Sequence, residues 1–192
     1  LINSGAIMAS SLIKQNLQPS ERFEYVIQIW EELCGGICKI GFNNPVYLSE
    51  KKTADRNYAL AYFMKEKNDN KQRGFPETTN LEETLELYFQ CCSIEMNTEA
   101  LSIVASTLAN GGMNPFSGKR VFSSKTVNHI LSMMLMCGMY DYSGEYAFKI
   151  GIPSKSGVAG AIMIVIPNVM GIATWSPRLD SIGNSARGIE FC

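Results

Sequence analysis

A short polar motif at residues 155–158 combines three groups that serve acyl-transfer chemistry. Lys155 supplies an amine, Ser156 supplies a hydroxyl, and the backbone N–H near Val158 could stabilise an oxyanion. An apolar, β-branched run follows the motif, and Pro167 and Asn168 separate it from a second apolar run. This pattern predicts a strand hairpin with the polar motif at its edge.

Ser11 and Lys14 form a second candidate group. The spacing Ser-x-x-Lys places a lysine amine one helical turn from a serine hydroxyl, so that the amine can take its proton. Such a tetrapeptide is common by chance, and an exposed helix lysine is the simpler interpretation. Tyr140, on a predicted loop after a helix, can act as an acid or base if a lysine lowers its pKa, but most buried tyrosines only pack a ring and satisfy a hydroxyl.

Glu50 and Asn57 lie near the start of a predicted helix. A carboxylate and an amide in this arrangement can hold a small zwitterion by its ammonium and carboxylate groups. The alternative is that the charged residues between them, Asp55 and Arg56, mark a helix start that faces solvent or a partner subunit.

The bulk composition argues against nucleic acid and membrane partners. Apolar residues make up 46% of the chain, charged residues 18%, and the net charge is -1, with the basic residues scattered along the sequence. Residues 156–176 carry no charge, but Pro167 interrupts them, whereas a spanning helix needs about 20 continuous apolar residues. The first residues lack a basic flank and an initiator methionine, so we expect no signal peptide and a chain that begins inside a domain.

The cysteines and the single histidine predict no metal site. Cys34 and Cys38 lack zinc spacing, and the adjacent Cys91 and Cys92 point away from each other on a predicted helix. We expect all 6 cysteines to be reduced thiols of an intracellular protein. Since there is no second histidine, we do not expect His129 to form a metal site or a Ser-His-Asp triad.

Helical patterns dominate up to Met139, and strand patterns follow Glu145. This order predicts an α+β fold in which a helical cluster is followed by antiparallel strands. Neither an internal repeat nor a linker is visible, so we expect a single domain over residues 1–192. One predicted helix runs from Asp55 to Lys67, whereas the turn-rich residues 41–48 are predicted to be extended.

Strings of residues spread over the whole chain resemble the glutaminase family of the serine β-lactamase fold. In family order they are Asn3-Ser-Gly-Ala-Ile, Ser49-Glu50 to Asp55-Arg56-Asn57, Tyr88-Phe-Gln-Cys-Cys-Ser-Ile-Glu95, Leu108-Ala-Asn-Gly-Gly, Cys137-Gly-Met-Tyr140-Asp, Lys155-Ser-Gly-Val-Ala-Gly and Trp175-Ser-Pro-x-Leu-Asp. Lys-Ser-Gly entering a strand is one of three signatures of β-lactamases and penicillin-binding proteins. The sequence is most similar to animal kidney-type and liver-type glutaminases, in the C-terminal part of their catalytic domain.

The resemblance implies a β-lactamase-like fold and hydrolysis of L-glutamine to L-glutamate and ammonia through an acyl-serine intermediate. It also implies a substrate grip. Asn3, Asn57 and Tyr88 would bind the α-carboxylate side of glutamine, and Glu50 would bind its ammonium group.

The resemblance implies catalytic roles near the polar motif as well. Tyr140 would contact the substrate beside the nucleophile as an acid or base, and the N–H of Val158 would form part of the oxyanion hole. Lys155 and Ser156 would line the rim of the same pocket.

The nucleophile is the point at which this chain departs from the family pattern. In the family the catalytic Ser-x-x-Lys precedes the Asn-x-Gly-Ala-Ile segment, and Ser11 to Lys14 align with a later helix. We therefore expect the catalytic serine and lysine upstream of this chain, and no glutamine hydrolysis by these 192 residues alone. Two other functions stay open: another acyl-serine amidase or β-lactam-binding protein of the same fold, and a non-catalytic regulatory or assembly fragment.

The resemblance also implies the setting in which the protein works. It implies no cofactor, with inorganic phosphate as an activator. The helix from Asp55 to Lys67 resembles the segment through which family dimers assemble into tetramers and filaments. A location in the mitochondrial matrix is implied, with the cytoplasm as the alternative.

Overall fold

The computed structural model describes residues 3–69 and 74–192. Its helices are α1 (Ser4–Leu12), α2 (Pro19–Leu33), α3 (Asn44–Lys52), α4 (Asp55–Asp69), α5 (Leu81–Cys92), α6 (Thr98–Ala109), α7 (Ser124–Cys137), α8 (Ser143–Lys149) and α9 (Ala186–Phe191). Its strands are β1 (Gly41–Phe42), β2 (Ile94–Glu95), β3 (Ser154–Ser156), β4 (Ala161–Ile166) and β5 (Met170–Trp175). A single turn of 3-10 helix covers Tyr140–Tyr142.

The order of elements confirms the predicted α+β fold. Eight of the described helices, α1 to α8, precede the antiparallel sheet β3–β4–β5, and its two longer strands form the hairpin expected across Pro167 and Asn168. The prediction for residues 41–48 was wrong beyond β1, because α3 begins at Asn44. The Asn43 side chain accepts a hydrogen bond from the Val46 N–H, and Pro45 fits the first helical turn, where its missing N–H costs nothing.

The chain divides into two compact units. We call described residues 3–28 and 40–95 the helical unit, and residues 29–39 and 96–192 the sheet unit. The single domain expected over residues 1–192 stays a prediction.

The helical unit is built on α5. Leu85 and Phe89 of this helix are fully buried against Ile7 of α1 and Ala61 of α4. The helix begins where the Asn80 side chain accepts hydrogen bonds from two backbone N–H groups of its first turn. Burial of side chains of this size contributes about 1.5–3 kcal/mol each, so α5 is the element that fixes α1, α3 and α4.

The sheet unit is organised around β4 and β5, which pack on α6. Ile162, Ile164 and Val165 of β4 are buried. Gly171 of β5 lies so close to α6 that a Cβ there would be 2.0 Å from the Ser106 nitrogen. Within the described ranges, the helices lack the length and apolar character needed to cross a bilayer.

Candidate active site

The structure places the eight predicted site residues in two groups of four. The helical unit carries Asn3, Glu50, Asn57 and Tyr88, and the sheet unit carries Tyr140, Lys155, Ser156 and Val158.

Asn3 and Asn57 lie together in the helical unit. Asn3 precedes α1, and its Nδ2 donates a hydrogen bond of 3.0 Å to Oδ1 of Asn57. Asn57 belongs to the first turn of α4 and is buried. Because Asn3 occupies its carbonyl oxygen, the amide N–H groups of Asn57 are the donors that can face a carboxylate.

Tyr88 and the charge of Glu50 both act on the thiol of Cys92, which sequence reasoning did not assign to the site. Burial raises the pKa of Cys92, a hydrogen bond with Tyr88 opposes this rise, and the charge of Glu50 adds to it. Tyr88 and Cys92 lie one turn apart on α5, and Glu50 lies on α3, which packs on α5. A carboxylate and a phenol hydroxyl therefore occupy the same side of α5.

Glu86 of α5 links this helix to α3, the helix that carries Glu50. The Tyr47 hydroxyl donates a hydrogen bond to the Glu86 carboxylate, and the Lys51 amine forms an ion pair with it. Burial alone would raise the pKa of Glu86, but the hydrogen bonds from Lys51 and Tyr47 outweigh it and lower the pKa. Tyr47 and Lys51 are four residues apart on α3, so this contact was hidden by the wrong prediction for residues 41–48.

Ser11 and Lys14 do not form a nucleophile and its base. The Ser11 hydroxyl is buried and donates a hydrogen bond of 2.6 Å to the Met8 carbonyl. The Lys14 amine lies 4.7 Å from the centre of the Tyr25 ring. This geometry agrees with the rejection of Ser11 as the attacking serine.

Tyr140 and Val158 meet in the sheet unit. The Val158 backbone N–H lies beside the Tyr140 hydroxyl and lowers its pKa. Burial raises the pKa of Tyr140, and the N–H of Val158 opposes the rise, so the phenol keeps its proton at neutral pH. A protonated hydroxyl and a backbone N–H at one point can protonate a leaving group and stabilise an oxyanion.

Lys155 borders this pair. Its amine lies 5.1 Å from the centre of the Tyr140 ring and donates a hydrogen bond to the Ser156 carbonyl. The residue as a whole is exposed, but loss of hydration at the amine lowers the pKa of Lys155, with the Cys137 thiol acting in the opposite direction.

Ser156 points the other way. Successive residues of a strand face opposite sides of a sheet, and the Ser156 side chain is buried with only 1% of its surface exposed. Its hydroxyl is buried and has no hydrogen-bond partner among the described residues, and its place on the rim stays a prediction.

Among the residues that the structure describes, no group of three or more His, Cys, Asp or Glu side chains is arranged to hold a metal ion.

Comparison with known proteins gives the relatives of the chain. A family model described as Glutaminase matches residues 1–192. The mouse protein "Glutaminase liver isoform, mitochondrial" is 48% identical over 192 residues, which are 100% of this chain and 31% of that protein. A glutaminase from the cyanobacterium Nostoc is 43% identical over 192 residues, 54% of its length. The chain thus spans about a third of the mouse protein and about half of the bacterial one.

A solved structure confirms the fold. It is the covalent complex between a Bacillus subtilis glutaminase and 5-oxo-L-norleucine, formed by reaction with 6-diazo-5-oxo-L-norleucine. The TM-score is 0.88 at 34% identity, over 98% of this chain and 64% of that one. The expected fold of the β-lactamase type is therefore present here.

Proposed function

Because the chain belongs to the glutaminase family, we propose that it carries the substrate grip and part of the oxyanion hole of an enzyme that hydrolyses L-glutamine. A serine would attack the side-chain amide, release ammonia and form an acyl ester, which water would hydrolyse to L-glutamate. The observation that carries the proposal is that the Lys155 amine lies 5.1 Å from the centre of the Tyr140 ring, with the Val158 N–H beside the Tyr140 hydroxyl.

In this proposal Tyr140 and Val158 act on the reacting carbonyl. The Val158 N–H turns to the oxyanion as the tetrahedral intermediate forms, and its loss would cost about 10²–10³ in kcat. Tyr140 gives its proton to the departing amine and takes one back from the attacking water, which agrees with its raised pKa. Lys155 adds positive charge at the rim.

The substrate grip would come from the helical unit. The Glu50 carboxylate pairs with the ammonium group of glutamine, and Asn57 donates to its carboxylate while Asn3 orients the Asn57 amide. Tyr88, buried on α5 next to Cys92, adds a hydroxyl donor. A ligand with both charges is therefore favoured over a penicillin, which has no ammonium group at the matching position.

A labelling experiment can identify the attacking serine. We expect the full natural chain to release ammonia from L-glutamine and to form a covalent adduct with 6-diazo-5-oxo-L-norleucine. Peptide mass spectrometry should find the adduct on a serine outside residues 1–192, and a Ser11→Ala variant should react normally. An adduct on Ser11, or ammonia release that this variant abolishes, would contradict the assignment.

Competition separates the other candidate functions. The full chain should be inhibited by L-glutamate and unaffected by benzylpenicillin at equal concentration. Hydrolysis of the penicillin instead of glutamine would make the protein a different acyl-serine enzyme. Absence of both activities and of the adduct would favour a regulatory or assembly role.

We also propose that the enzyme assembles through α4 and is activated by inorganic phosphate, without a metal or organic cofactor. Tyr62 and Phe63 expose 57% and 58% of their surface on this helix. Gel filtration of the full chain should show dimers and tetramers that a Tyr62→Glu variant weakens, whereas Phe148→Glu, on α8, leaves them intact. Phosphate, but not sulfate at equal ionic strength, should raise the rate.

For location we propose the mitochondrial matrix, as the name of the mouse relative suggests for that protein. The bacterial relative comes from a cell without mitochondria, so the family itself does not require this location. Fractionation of cells that express the full chain tests it, and recovery in the cytosol would overturn it.

A further inference from the structure

Val158 belongs to a tight turn at residues 157–160 that links β3 to β4. The Gly160 N–H donates to the Gly157 carbonyl at 2.9 Å, and the Gly157 N–H donates to the Ala161 carbonyl at 2.9 Å. Gly160 has a φ of +91°, in the left-handed region that favours glycine. The direction of the Val158 N–H therefore depends on how this turn is held.

The segment at Trp175 and Ser176 holds the turn from one side. Nε1 of Trp175 donates a hydrogen bond of 2.9 Å to the Ala159 carbonyl. The next backbone N–H, of Ser176, donates to the Gly160 carbonyl at 3.0 Å. Trp175 also pairs with Ala161 at the end of the β4–β5 ladder, so the turn is attached at consecutive residues.

Burial in the core does not hold the Trp175 side chain in position. It exposes 59% of its surface, much more than the buried residues of β4, which expose at most 3%. An aromatic ring so exposed contributes little by burial, whereas its indole N–H fixes the carbonyl next to Val158.

We propose that Trp175 is a positioning residue for catalysis: its indole N–H holds the turn so that the Val158 N–H faces the Tyr140 hydroxyl. This inference rests on the proposed function, because Val158 matters to the rate only if its N–H stabilises an oxyanion. The Trp175 contacts position the Val158 N–H, which acts in the transition state. They do not touch the residues that are proposed to bind the substrate in the ground state. Weakening them should lower kcat and leave KM unchanged.

The test compares Trp175→Phe with Trp30→Phe in the full natural chain. Trp175→Phe keeps an aromatic side chain but replaces the indole by a smaller phenyl ring without the N–H. Trp30→Phe, at a half-buried position on α2, makes the same change in ring size and is the matched control. We expect kcat to fall by about 10-fold for Trp175→Phe, a fraction of the loss of an oxyanion donor, with KM and melting temperature close to those of the control. In NMR hydrogen exchange, the Val158 amide should exchange faster in Trp175→Phe alone.

A second variant, Gly160→Ala, changes a residue of the turn itself. A Cβ on Gly160 would lie 3.0 Å from the Ser176 carbonyl, whereas one on Gly144 would meet nothing within 4 Å. Gly160→Ala should lower kcat without changing KM, Gly144→Ala should not, and Gly160→Ala with Trp175→Phe should cost less than the product of the single effects.

The outcomes separate the inference from the proposed function. If the parent enzyme hydrolyses glutamine and Trp175→Phe keeps kcat within twofold, the inference is wrong and the function stands. The inference is also contradicted if KM of Trp175→Phe rises by the same factor as kcat falls. It is likewise contradicted if the Val158 amide of this variant exchanges at the parent rate. A parent that reacts with neither glutamine nor the diazo analogue contradicts the proposed function, and the inference falls with it.

Discussion

Tyr140, whose hydroxyl is a candidate catalytic group, also has an unusual backbone conformation. Its φ of 55° is in the left-handed region, which costs a non-glycine residue about 1–2 kcal/mol. Hydrogen bonds hold it there: the Ser143 hydroxyl donates to the Tyr140 carbonyl at 2.6 Å, and Nδ2 of Asn184 donates to the Met139 carbonyl at 3.3 Å. Strain that neighbours maintain in this way is typical of functional sites.

Removal of this hydroxyl gives the first prediction. In the full natural chain, Tyr140→Phe should lower kcat for glutamine by about 10²–10⁴-fold with little change in KM, because proton transfer is lost while the grip remains. Steady-state ammonia release measures both constants. Tyr142→Phe, two residues away, is the control and should keep the parent rate; an active Tyr140→Phe enzyme would remove Tyr140 from the chemistry.

For Glu50 we expect the opposite kinetic effect, a change in KM and not in kcat. Glu50→Gln should raise KM for glutamine by about 10–100-fold and leave kcat nearly unchanged, because it removes a charge pair of about 1.5–3 kcal/mol made equally in ground and transition states. Glu82→Gln, an exposed carboxylate at the start of α5, should do neither. If both variants keep the parent KM, Glu50 does not bind the ammonium group.

At the scale of elements, the site depends on how α3 and the turn at residues 157–160 are anchored. Glu86 on α5 binds Tyr47 and Lys51 on α3, the helix that carries Glu50. Trp175 at the end of β5 binds Ala159 next to Val158. In each case a side chain one element away sets the position of a candidate site group.

The Glu86 anchor has a pH signature. The pKa of Glu86 is lowered from 4.5, so its stabilising contribution is present above pH 4.5 and is lost as pH falls through its folded value. The pKa of Lys51 is raised from 10.5, so its contribution is present below that pH and is lost as pH rises through its folded value. Glu86→Gln should therefore lower the melting temperature at pH 7, and this effect should shrink as pH falls below 4.5 or rises above 10.5.

Thermal unfolding across this pH range measures the effect. Glu82→Gln, at an exposed carboxylate of the same helix, is the control and should leave the melting temperature close to that of the parent. A melting-temperature difference between the parent and Glu86→Gln that does not change with pH would show that the anchor acts through packing and not through charge.

At the scale of the molecule, each unit has its own buried cluster. The helical unit centres on Leu85 and Phe89, and one cluster of the sheet unit centres on Tyr146 and Ile162. Helix α2 supplies residues to both units, because the division falls between Gln28 and Ile29. At 192 residues, the chain is within the size that a single hydrophobic core can reach.

Phe89→Ala tests that cooperativity. The ring is 0% exposed, and its loss should destabilise the fold by about 3–5 kcal/mol. If residues 1–192 form one domain, hydrogen exchange should accelerate in β4 of the sheet unit as well as in α5. Phe148→Ala, at a side chain 92% exposed, should change neither. Faster exchange confined to the helical unit would mean two domains.

The sequence by itself determined the α+β class and the family. Helical spacing and the Pro167-Asn168 break are local patterns, which neighbouring residues settle through backbone preferences, whereas the helix at Asn44 was missed. The motifs around Asn3, Glu50 and Lys155 then identified the glutaminase resemblance, and the family match confirms it.

The tertiary structure decided what holds the candidate site in place. Tyr47 meets Glu86 across 39 positions, and Trp175 meets Ala159 across 16. The burial of the Ser156 hydroxyl likewise follows from which face of the sheet is covered. Spacing along the chain encodes none of these contacts, because they arise only when separate elements pack and bring distant side chains to the same point.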